Sequence, residues 1–174
     1  MPARCIVLLR HAEKPTGDGR AKGVDARGEA DDNELSVRGW QRAGALACFF
    51  AADRGELGVP DALFAGAPTR EHPSRRSIST LEPLAQRLGL ALETSFQRGC
   101  EPTLAHAAAQ RDGLVLVAWD HRGLCSIANA LMDSSQLTPQ SWPDGCFDRF
   151  WVFHRQGTGW RYEEQAQRLL GRDA

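Results

Sequence analysis

Two short runs constrain the fold of this chain more than anything else in it. Residues 3–9, around CIVLL, and residues 113–119, GLVLVAW, are apolar on both faces instead of alternating. A strand of that character is covered on both sides. It belongs at the centre of a mostly parallel sheet between two layers of helices. Both runs also stop abruptly at a histidine: Leu9 is followed by Arg10 and His11, and Trp119 by Asp120 and His121. Ligands of open α/β sheets bind beyond the carboxyl ends of the strands, so two histidines at two such ends are the first functional signal.

The segments between the two runs supply the remaining layers. Ser36 stands as an N-cap ahead of VRGWQRAGALACFFAA, where Trp40, Ala43, Leu46, Ala47 and Phe50 recur at helical spacing. DALFAGA (61–67) reads as a strand. SRRSISTLEPLAQRLG (74–89) reads as a helix closed by Gly89, with Pro83 implying a late start or a kink. LALETSF (90–96) alternates as a strand does, EPTLAHAAAQR (101–111) reads as a helix with Pro102 in its first turn, and GLCSIANALM as another helix. CFDRFWVFHRQGTGWRYEE alternates on both sides of QGTG, which signals a hairpin. The expected fold is a three-layer α/β/α sandwich with a mostly parallel central sheet and an antiparallel C-terminal hairpin at its edge. No boundary divides the 174 residues, so a single domain spanning 1–174 is expected. The polar loop 14–34 is long enough to be functional or mobile. It follows His11 directly, which makes it either a solvated flap or a specificity element.

Composition excludes several classes of function. The formal net charge is −1, so no global field draws the chain to nucleic acid or to a membrane, and an anionic ligand needs a local cluster of cations. No apolar stretch approaches the length of a membrane span, and the first apolar run is too short for a signal-peptide core; a cytoplasmic location is expected. Five cysteines without a CxxC pair read as reduced, partly buried thiols and not as metal ligands.

Four segments, in order, resemble the histidine phosphatase superfamily, also called phosphoglycerate-mutase-like. They are LLRHAEKP at the end of the first strand, LSVRGWQRA (35–43), RSISTLEPLAQRLGL (76–90) and VLVAWDH (115–121). The resemblance implies that His11 is a phosphorylated nucleophile, that Arg10 and Arg76 hold the phosphoryl oxygens, and that His121 completes the pocket, without metal or other cofactor. Those residue types suit the chemistry. Two guanidiniums can grip the oxygens with forked donors that stay charged. A neutral imidazole can attack phosphorus through one nitrogen while the other is fixed by a hydrogen bond. A second, protonated histidine would add a donor where negative charge develops.

The chain also departs from the pattern. Ala12 replaces the commoner Gly, tolerable if φ stays negative, and Arg42 stands where Gln is usual. The segment before the second arginine, GAPTREHPSRR, is longer than usual. Its Arg76 lies four residues before Thr80 as in the family pattern, and Arg75 is a rival for the same role. The proton donor is assigned to Glu101, with Asp120 and Glu13 as alternatives; His72 could reach substrate, while His106 and His154 read as structural. The small size is closest to the compact phosphohistidine-phosphatase-like branch. The implied activity is a phosphatase acting on a phosphorylated small molecule or a phosphohistidine protein, with a phosphomutase or a non-catalytic phosphate-binding member as alternatives. The sequence leaves the oligomeric state open.

Overall fold

The structure, a computed structural model, describes residues 2–52 and 56–173. One six-stranded sheet carries β1 (Cys5–Arg10), β2 (Ala62–Ala65), β3 (Leu92–Glu93), β4 (Leu114–Trp119), β5 (Arg149–Gln156) and β6 (Gly159–Ala166). Their order across the sheet is β3-β2-β4-β1-β5-β6. The first four strands are mutually parallel, while β5 and β6 run antiparallel and end the sheet. Helices α1 (Val37–Ala51) and α2 (Arg76–Leu88) pack together on one face, and α3 (Glu101–Ala109) and α4 (His121–Met132) on the other.

The apolar character of the two central strands follows from this arrangement. Every residue of β1 and of β4 is buried. Cys5, Val7 and Leu9 join Leu114, Leu116 and Ala118 in the core beneath α1 and α2, whereas Ile6 and Leu8 join Val115, Val117 and Trp119 beneath α3 and α4. The two-residue period of a strand thus feeds two cores from one run. Each fully buried aliphatic side chain contributes about 1.5–3 kcal/mol.

The N-cap at Ser36 forms as expected: its hydroxyl oxygen accepts from the Gly39 amide at 3.2 Å. Gly89 closes α2 in the left-handed conformation with φ 65°. Ala12 is not among the positive-φ residues, so the turn after β1 accommodates a Cβ. Several boundaries differ from expectation. The helix expected over 74–89 begins at Arg76 and holds Pro83 inside it. The strand expected over 90–96 shrinks to Leu92–Glu93, because the Glu93 carboxylate accepts the Ser95 amide and hydroxyl and turns the chain out of the ladder. The first strand of the hairpin starts at Arg149 and not at Cys146. All five cysteines are free thiols, with Cys48 exposed and not partly buried. No helix among the described residues is long and apolar enough to cross a membrane.

Candidate active site

β1 and β4 are neighbours in parallel register, with Arg10 opposite Trp119, so the chain leaves both strands at the same sheet edge. The His11 amide donates to the Trp119 carbonyl at 3.0 Å and ties the two exits together. Over this edge opens a cavity of about 310 Å³ whose wall includes Arg10, His11, Arg76, Trp119, Asp120 and His121.

His11 is 5% exposed, and its Nδ1 lies 2.7 Å from the Ala12 carbonyl oxygen. A carbonyl can only accept, so Nδ1 carries the proton and the lone pair resides on Nε2. Burial, with Arg10 and Arg76 nearby, pushes the imidazole down to about 4, against the opposing pull of the Ala12 hydrogen bond. The ring is therefore neutral at physiological pH, the form a nucleophile requires. In NMR titration of the free protein the His11 resonances are expected to move with a midpoint near 4; a midpoint near 6.5 would contradict this environment.

The turn that presents His11 is held by Thr80, fully buried in α2. Its hydroxyl accepts from the Ala12 amide at 2.8 Å and donates to the Arg76 carbonyl at 2.7 Å. Thr80→Val keeps the shape and leaves the Ala12 N–H unsatisfied. It is expected to cost about 1–3 kcal/mol in urea unfolding; no loss would show that this bond does not hold the turn.

Arg10 is 3% exposed and clamped by the loop before β5: Nη1 donates to the Cys146 carbonyl at 3.4 Å, and the guanidinium lies 4.1 Å from the Phe147 ring centroid. Its Nε is buried with no hydrogen-bond partner in the protein. Arg76, at the first position of α2, donates to the carbonyls of Glu34 and Asp32 and lines the cavity. Arg75 behaves differently. It is the N-cap of α2, its Nε donates to Glu34 at 3.1 Å, and it is not part of the cavity wall. Glu34 also accepts the Ser79 hydroxyl, so one buried carboxylate fixes the start of α2 and separates the roles of the two arginines.

His121 begins α4 and lines the cavity, with Nδ1 buried and without a hydrogen-bond partner. Burial, then Arg10, holds its imidazole below the usual value against the opposing pull of Asp120 and Asp144. That direction disfavours the protonated second histidine expected from the sequence. Asp120 lies on the cavity wall; burial pushes its carboxyl up, but the Arg122 amide and the neighbouring histidines outweigh that and keep it low.

The other carboxylates considered as acids do not reach the cavity wall. Glu101 is buried behind Trp119, accepting its indole N–H at 3.2 Å and the Gly99 amide at 2.9 Å. Glu101 thereby positions Trp119, whose ring passes between Gly66 and Gly123. A Cβ on Gly123 would sit 2.4 Å from the indole nitrogen. Glu13 is turned away and gripped by Arg42, with Nη2 2.8 Å from Oε1. His106 is exposed on α3, and His154 pairs with Glu163 at 3.1 Å.

Sequence reasoning had no signal for Cys146 and Phe147, which read as the start of a strand, or for Glu34, which read as part of a loop. Lys14 and Asn33, at the two ends of the polar loop, line the cavity, as do Glu71, His72 and Arg98. Among the described residues, no group of three or more His, Cys, Asp or Glu side chains is arranged to hold a metal ion.

No protein-family model matches the sequence, and no curated protein matches it. Solved structures do match. A mycobacterial glucosyl-3-phosphoglycerate phosphatase complexed with VO3 superposes with a TM-score of 0.59 at 14% identity, covering 92% of this chain and 97% of its own. The protein histidine phosphatase SixA complexed with tungstate gives 0.57 at 14%, covering 94% and 97%. A variant of phosphoserine phosphatase from Entamoeba histolytica, in complex with phosphoserine, gives 0.61 at 11%, covering 95% and 98%. The chain shares the fold of these structures, which is phosphoglycerate-mutase-like. Within that fold the Arg10–His11 exit and the His121 exit lie side by side on the sheet edge that bears the cavity.

Proposed function

We propose that the protein is a phosphatase that hydrolyses a phosphorylated substrate through a phospho-His11 intermediate. The observation that carries this reading is the state of His11. It is a buried, neutral imidazole, fixed by Nδ1 to a backbone carbonyl on the wall of a cavity that Arg10 and Arg76 also line. In the proposed reaction Nε2 attacks phosphorus, the P–O bond to the leaving group breaks, and the leaving oxygen departs with the bonding electrons and takes up a proton. Water then attacks the phosphohistidine, the P–N bond breaks, and inorganic phosphate and neutral His11 are released.

Arg10 and Arg76 stabilise the equatorial oxygens, where transferring phosphoryl groups spread their charge. Arg10 Nε, buried beside the cavity without a hydrogen-bond partner among the described residues, supports an anion as the occupant, since buried polar groups without partners are costly. The three solved structures named above are phosphatases, which supports the same reading. Glu101 is left out of the proposed chemistry because it stands behind Trp119.

Hydrolysis of a generic aryl phosphate, with inhibition by vanadate, tests the proposal directly; no turnover of any phosphomonoester would sink it. The two arginines provide a sharper check. Arg76→Ala is expected to weaken vanadate binding roughly 10- to 100-fold, the effect of losing a charged hydrogen-bond donor worth about 1.5–3 kcal/mol. Arg75→Ala is expected to change it far less, and the reverse result would move the phosphate site.

A further inference from the structure

The segment GAPTREHPSRR, between β2 and α2, brings Glu71 and His72 onto the cavity wall, opposite Arg98 from the turn before α3. The cavity does not end there. A groove lined by Thr69, Arg70, Gln97 and Gly99 continues outward and shares Glu71, His72 and Arg98 with it. A phosphoryl group held between Arg10, Arg76 and His11 would therefore have the rest of its molecule directed along this groove.

Arg98 and Arg70 place two guanidiniums along that path. Arg98 has no carboxylate within ion-pair distance among the described residues, and its one side-chain contact is Nη1 to His72 Nε2 at 3.4 Å. A guanidinium only donates, so in this contact Nε2 of His72 accepts. The loop carrying His72 is itself braced: the His72 amide donates to the Thr69 hydroxyl at 3.0 Å, and the Thr69 amide to the His72 carbonyl at 2.9 Å. Arg38, Arg42, Arg75, Arg111 and Arg149 are matched to carboxylates, whereas Arg98 and Arg70, its neighbour in the groove, have none within ion-pair distance among the described residues. Glu71 is the single acid shared by cavity and groove, and it is outnumbered there by Arg70 and Arg98.

We infer that the Arg98–His72 pair is a subsite for a second anionic group, so that the substrate is a small phosphomonoester carrying a further carboxylate or phosphate. The inference rests on the phosphatase reading for the position of the first anion. Arg98 supplies a forked donor suited to either group, and an anion bound to it would lie closer than Asp120, whose charge reaches the guanidinium without forming an ion pair.

Binding of non-hydrolysable probes to the intact protein tests this without requiring turnover. Calorimetry would compare methylphosphonate, with one anionic group, against 3-phosphonopropionate and propane-1,3-diphosphonate, which add a carboxylate or a second phosphonate. The expected result is at least tenfold tighter binding of one two-anion probe, and the tighter of the two names the second group. Arg98→Gln is expected to bring that ratio close to one, while Arg87→Gln, at the far end of α2, leaves it unchanged. Equal affinity for all three probes, or a ratio that survives Arg98→Gln, would overturn the subsite. The phosphatase reading is judged separately by aryl phosphate turnover, so either idea can fail while the other stands.

Discussion

His11→Ala is expected to lower the turnover of an aryl phosphate by about 10⁴-fold or more, the scale seen when the nucleophile of a covalent mechanism is removed. The wild-type protein, quenched during turnover of a ³²P-labelled substrate, should carry label that is stable to base and lost in acid, as phosphohistidine is. The alanine variant should carry none. Equal rates in the two proteins would remove His11 from the chemistry, whatever the fold. The size of the effect follows from the site's construction. His11 is the imidazole whose free nitrogen is defined by a 2.7 Å bond from the other, and whose charge is suppressed by burial next to two guanidiniums. His121, whose Nδ1 is unpartnered, is less constrained and would be a poor substitute.

Arg42→Ala should produce the largest loss of stability of any single polar substitution in the chain, about 3–5 kcal/mol, because it strands buried charges that it now neutralises. The Arg42 and Asp173 side chains are each 3% exposed, and Glu13 12%. Arg42 bonds both Glu13 oxygens, Gln167 and both Asp173 oxygens, and so joins the turn after His11 to the C-terminal segment. A drop of roughly 10 °C in the unfolding midpoint is expected for a chain of this size. The pH dependence offers an independent signature. Hydrogen bonds from Arg42 hold the Asp173 carboxyl down at about 2, from an ordinary value of 3.8. Because the folded state has the lower pKa, this contribution is complete above about 4 and is lost as pH falls towards 2. The wild-type protein should therefore lose stability through that window, and Arg42→Ala should lose less. An Arg42→Ala protein as stable as wild type would show the cluster to be energetically neutral.

The position of Arg42 shows where sequence and structure part company. As a letter it was only a departure from the usual Gln in a resembling motif, because its partners Glu13, Gln167 and Asp173 are remote in sequence. Arg76 and Arg75 make the same point. Spacing to Thr80 favoured Arg76, and the structure supplies the reason in Glu34, whose carboxylate takes Arg75 and whose carbonyl takes Arg76. Glu101 goes the other way. It lies in the region where an acid was sought, yet it is committed to the indole of Trp119.

Local chemistry governs everything that could be read from the residues in chain order. Strands apolar on both faces must be central, Ser36 and Gly89 cap their helices, and a histidine within two residues of the end of each of two buried strands must emerge at a sheet edge. Which groups share that edge is set by long-range packing. The register of β1 against β4 sets His11 beside His121, the loop before β5 lays Phe147 over Arg10, and Glu34 assigns the two arginines. Those contacts join residues far apart along the chain, and their partners are chosen by packing and charge in three dimensions. A pattern of neighbouring letters carries no record of them.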